Sequence, residues 1–142
     1  MNKIQPEQRS MPDINPDKVC FVIEKSRELE SEEVGATADG SNAADDGGHS
    51  VLTEVADAPI RHELTEFIEG LDIDEQLALV ALTWIGRGDF EPEHWEAAVQ
   101  LATERRERRT STYLLEIPQL SEYLEEALAD FGCSCEDFGA SA

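Results

Sequence analysis

The densest chemistry in the sequence lies in twelve residues, Trp84-Ile85-Gly86-Arg87-Gly88-Asp89-Phe90-Glu91-Pro92-Glu93-His94-Trp95. They gather two tryptophans, an arginine, a histidine and three carboxylates. Asp89, Glu91 and Glu93 alternate as the ligands of a calcium loop do, but His94 stands where such a loop needs its turning glycine. Gln100 likewise stands in place of the bidentate acid. Glu91 and His94 have the i, i+3 spacing of a di-iron helix pair, and the second pair that such a bundle needs is missing. The stretch therefore reads as a corner between two helices. Gly86 is expected to take a left-handed cap, with Gly88 a second permissive position in the loop. Pro92 opens the next helix, Glu91 is its N-cap, and Glu93 lies beside the positive end of its dipole. Phe90 and Trp95 have the spacing of a hydrophobic staple.

The remaining metal and nucleophile motifs are incomplete. His62-Glu63-Leu64-Thr65-Glu66 begins like a helical zinc-protease motif, yet Glu66 occupies the second histidine's place, so it reads as a solvated helical face. Cys133-Ser134-Cys135 supplies half a zinc site, and Cys20, His49, His62 and His94 show no ligand spacing to complete it. Three cysteines are too few, and odd in number, for a disulfide scaffold, so reduced thiols are expected. No phosphate loop follows a strand and no serine sits in a nucleophile elbow. The sequence thus predicts no catalytic residues, no metal and no cofactor. An enzyme would have to draw on His94, Glu91 and His62.

One basic cluster resists the background charge. Arg105-Arg106-Glu107-Arg108-Arg109 holds four of the chain's eleven bases in five residues. At a helix end these cations offset the negative pole of the dipole, and Glu104 and Glu107 offer local partners. The other reading is an anion site built from Arg105, Arg106, Arg108 and Arg109 with Thr110, Ser111 and Tyr113 at the next short helix. A concave pocket around residues 105–113 would favour a ligand, and a flat apolar patch a protein partner.

These residues need helices to position them, and the apolar spacing supplies helices. Asn15 caps and Pro16 opens a first helix over about 16–31, with Val19, Val22, Ile23, Ser26 and Leu29 on one face. Residues 1–14 read as a disordered tail and 32–57, rich in Gly, Ala, Ser and Asp, as a disordered acidic linker. A helical domain over 58–138 follows. Ile60, Leu64, Phe67, Ile68 and Leu71 form one stripe that stops at Gly70. Asp72 and Glu75 make a capping box for a helix over 73–85 that is apolar on nearly every face, the mark of a buried centre. A third helix spans about 92–109, a short piece covers about 112–116, and Pro118 starts a last one ending at Gly132. No strand pattern appears. The expected fold is all-α, a compact antiparallel bundle of about five helices, with the N-terminal helix joined by the acidic linker.

Thirty-two acids against eleven bases give a net charge of −21, of which −8 falls in residues 1–58 and −13 in 59–142. Such a surface repels phosphate backbones and anionic lipid, which argues against nucleic acid and membrane and for a protein partner if there is one. With no apolar signal core and no apolar run of membrane length, a cytoplasmic location is expected.

The run LDIDEQLALVALTWIGRGDFEPEHWEAAV, then ERRERRTSTYLLEIPQLSEYLEEALADFG and SCEDF, resembles the bacterial family known as domain of unknown function 3775, over about residues 59–138. The resemblance implies a small, acidic, helical protein and carries no catalytic or binding residues across. From the residues, the chain is expected to be a non-enzymatic acidic helical module for interaction or regulation, with small-anion or phosphate-ligand binding at Arg105–Arg109 as the alternative.

Overall fold

The computed structural model describes residues 13–39 and 59–136. Its helices are α1 (Pro16–Asp39), α2 (59–69), α3 (Ile73–Arg87), α4 (Trp95–Glu104), α5 (Thr110–Leu115) and α6 (Leu120–Asp130), with a 3-10 turn at Pro92–His94. Among the described residues there is no strand. The expected tail over 1–14 lies outside them except for Asp13 and Ile14, and the expected linker over 32–57 lies outside them from residue 40 onward. Helix α1 continues past its expected end near residue 31 to Asp39. Glu32, Glu33, Ala36 and Ala38 are good helix formers, and the flanking Gly- and Asp-rich stretch masked that locally.

Helix α3 is the buried axis. Every residue from Gln76 to Ile85 is buried, as expected of a helix without a polar face. It packs against α6, α4 and α5, and α6 in turn carries α1. The stripes read from the sequence are the ones that are covered: Val19, Val22, Ile23 and Leu29 of α1, Leu64 and Ile68 of α2, and Leu120, Leu124, Ala127 and Leu128 of α6. Gly86 differs from expectation. It is an interior residue of α3, and a methyl group there would overlap the backbone carbonyl of Tyr123 on α6. The left-handed cap falls instead on Gly88, at φ 97°.

Several acids serve the fold at helix ends. Glu75 completes the capping box at Asp72 and also accepts from Lys18 Nζ of α1 at 2.6 Å. Hydrogen bonds from Lys18 and from the Asp72 backbone hold the Glu75 carboxyl below its ordinary pKa. Glu30 of α1 accepts from the Ser121 hydroxyl and backbone N–H, at 2.7 and 3.2 Å, and so caps α6 from another helix. Glu69 does the same for α5 through the Ser111 N–H at 2.9 Å. Donors orphaned at helix starts draw carboxylates to them.

The thiols overturn the expectation that all three are reduced. Cys20 of α1 is joined to Cys135, with Cα atoms 5.7 Å apart, inside the usual range for a disulfide. Cys133 lies outside this bridge. The pairing was invisible in sequence because the partners are 115 residues apart. Ion pairs from half-buried Lys25 to Glu63 at 3.3 Å and between exposed Arg27 and Glu125 at 2.7 Å add weak ties between α1 and the rest.

Candidate functional site

The turn after α3 builds one wall of a cavity. Gly88 reverses the chain, Gly88 N–H bonds the Ile85 carbonyl, and Asp89 N–H bonds the Trp84 carbonyl at 2.9 Å. That reversal lays Phe90 on Trp84, with ring centroids 5.9 Å apart, and sets Asp89 against Arg87 at 2.7 Å. Trp84 Nε1 donates to the Tyr113 hydroxyl at 2.9 Å, which fixes α5 against the end of α3. Burial disfavours the charged Arg87. Its hydrogen bond with Asp89 and the nearby Tyr113 hydroxyl outweigh burial and raise its pKa further above the ordinary value.

The opposite wall is the connection from α4 to α5. Helix α4 ends at Glu104, so the arginine run is not helical, contrary to the expected helix over 92–109. Between α3, α4 and this connection lies a cavity of about 440 Å³. Its buried lining is apolar apart from Thr110, and comprises Leu77, Val80, Trp84 and Ala102, with half-buried Phe90 and Leu101 beside them. Its exposed lining is charged, from Arg87, Arg105, Arg106 and Arg108 against Asp89 and Glu107. Thr110 and Tyr113 complete it. Four of the chain's eleven bases thus meet at one opening in a molecule of net charge −21.

The arginines are not equivalent. Arg108 is held by Glu116 through two hydrogen bonds, at 2.9 and 3.2 Å. Arg106 donates to the neutral Gln76 Oε1 at 3.2 Å, while the Gln76 amide nitrogen caps carbonyls of Glu69 and Leu71. Arg105 has no side-chain partner among the described residues. Arg109 faces away from the cavity, toward Glu69 at 3.7 Å, in a shallow depression shared with His62. The local partners expected at Glu104 and Glu107 are thus replaced by Gln76, Glu116 and Glu69.

The family model described as "Protein of unknown function (DUF3775)" matches residues 61–133, just over half the chain. This chain belongs to that family. No curated protein and no solved structure matches it. The DUF3775 segment contains every residue that lines the cavity. Helix α1 and both disulfide cysteines lie outside it.

Within the DUF3775 segment, the structure gathers Arg105, Arg106, Arg108, Thr110 and Tyr113 and leaves out Arg109 and Ser111. Two physical reasons separate them. Arg109 has extended backbone angles, φ −61° and ψ 140°, so its side chain diverges from that of Arg108. The Ser111 N–H already has its anion, because Glu69 occupies the start of α5. Burial raises the Glu69 pKa, but bonds from Ser111 and the charges of Arg109 and Arg106 lower it more, leaving it below the ordinary value.

Trp84, Arg87, Asp89 and Phe90 are the members that sequence reasoning assigned only to a corner. Their signal was the Gly88 reversal, which returns the chain across the end of α3. The rings expected to pair with each other do not: Phe90 stacks on Trp84, and Trp95 packs edge-on against Phe131 at 5.5 Å. His62 and Glu66 are both exposed, 3.1 Å apart on α2, and His94 is exposed too. Among the described residues no group of three His, Cys, Asp or Glu side chains is arranged to hold a metal ion. No described helix is long and apolar enough to cross a membrane.

Proposed function

We propose that this chain is a non-enzymatic regulatory module that binds a small anion at the cavity between α3, α4 and the α4–α5 connection. The observation that carries this reading is the meeting of four arginines over an apolar wall on an otherwise strongly acidic molecule. A charge that opposes the mean field so locally is a feature of recognition, since solubility gains nothing from it. The cavity volume falls within the range of small-molecule sites. A binding role is favoured over an enzymatic one because the titratable lining is arginine, carboxylate and tyrosine, while His62 and His94 lie elsewhere. A cytoplasmic setting is part of the proposal, although a reducing compartment disfavours the Cys20–Cys135 bridge.

Thermal denaturation of the full chain with carboxylate- and phosphate-bearing metabolites tests the reading. A ligand at about a hundred times its Kd stabilises by about 2.7 kcal/mol, which is roughly 10 °C for a domain of this size. A complete absence of shifts across such a panel ends the proposal. A protein partner is the second reading, favoured by the outer face of α6, where Glu122, Glu125, Glu126 and Asp130 are all exposed. It calls for a partner with a basic surface.

A further inference from the structure

We propose that the ligand of this cavity carries a single anionic group, a carboxylate or a phosphate, on an apolar body of metabolite size. This rests on the anion-binding reading above and narrows it. The charge count sets the head group. Arg87 is neutralised by Asp89 and Arg108 by Glu116, both at hydrogen-bonding distance. That leaves Arg105, without a side-chain partner among the described residues, and Arg106, whose hydrogen bond goes to the neutral Gln76 amide and whose charge is offset in part by nearby Glu69. Glu107 offsets part of this excess. Two guanidiniums, one partly balanced, match one anionic group and not the several charges of a nucleoside triphosphate.

The lining sets the body. Leu77, Val80, Leu101 and Ala102 offer no hydrogen-bonding side chain, and the Trp84 indole N–H is already spent on Tyr113. Only Thr110 and Tyr113 offer a hydroxyl here, too few to replace the hydration that a strongly polar ligand would lose against this wall. An apolar body recovers that surface instead. Tyr113 accepts from Trp84, so its own hydroxyl hydrogen remains to meet one acceptor on the ligand.

The test uses the full chain and four probes: 8-anilinonaphthalene-1-sulfonate as a fluorescent reporter, 1-naphthoate, its neutral counterpart naphthalene-1-methanol, and inorganic phosphate. Saturable one-to-one binding of the reporter is expected, with displacement by 1-naphthoate. Naphthalene-1-methanol should bind at least tenfold more weakly, and phosphate at the same concentration should displace nothing. Arg105→Ala should weaken 1-naphthoate about tenfold, the order expected for one charge-assisted contact. Because Arg105 is exposed and without a side-chain partner among the described residues, the unliganded melting midpoint should fall by no more than about 4 °C, the worth of one helix-end charge, so lost binding at room temperature is not lost folding.

Displacement by phosphate where 1-naphthoate fails would overturn the apolar-body inference and leave general anion binding standing. Equal binding of naphthalene-1-methanol and 1-naphthoate, undisturbed by Arg105→Ala, would overturn both.

Discussion

Reducing the Cys20–Cys135 bridge should lower stability by about 5 kcal/mol, and the reasoning is exposed at each step. The bond closes a loop of 115 residues. On the chain-entropy relation, a loop of that length stabilises the fold by about 4.7–5 kcal/mol, by restricting the unfolded chain. At about 4 °C per kcal/mol for a domain near this size, the melting midpoint should fall by roughly 15–20 °C. Native contacts do not buffer the loss, because the effect acts on the unfolded state. The apolar stripe of α1 stays against α6, so the reduced protein should remain helical at room temperature. Chemical reduction is the cleaner perturbation, since serine at the buried position of Cys20 would leave a hydroxyl among apolar neighbours. Thiol titration of denatured protein should count one thiol before reduction and three after, and circular dichroism should follow the midpoint. Three thiols before reduction would refute the bridge. A midpoint change below about 4 °C would refute the loop-entropy reasoning.

Two further outcomes follow from packing and charge. Gly86→Ala should cost about 3 kcal/mol or more, because the added methyl meets the Tyr123 backbone and not a movable side chain; chemical denaturation measures it, and a neutral result would mean that α3 and α6 do not cross so closely. Glu69 has a folded pKa below its ordinary 4.5, so its contribution is complete above that value and lost as pH falls through the lower, folded one. The stability gap between wild type and Glu69→Gln should therefore be constant above about pH 5 and close below 4.5; a gap that widens on acidification would contradict the Ser111 and Arg109 contacts.

What the sequence determined by itself is the set of helices and their buried faces. Apolar residues at helical spacing have one way to leave water, so Val19 through Leu29, the whole of α3 and Leu120 through Leu128 could be assigned without knowing their neighbours. Local capping was equally legible at Asn15, whose side-chain oxygen takes the Asp17 N–H at 2.7 Å, and at Asp72 with Glu75. The arginine cluster announced itself through charge alone. Only the tertiary structure decided which arginines share a cavity. It alone paired Trp84 with Tyr113, made Gly86 a crossing point, and joined Cys20 to Cys135. Helix formation depends on residues three and four apart, which the chain order already specifies. A cavity, a helix crossing and a long disulfide depend on residues brought together by packing, where neighbours such as Arg108 and Arg109 part company and distant ones such as Arg87 and Tyr113 meet.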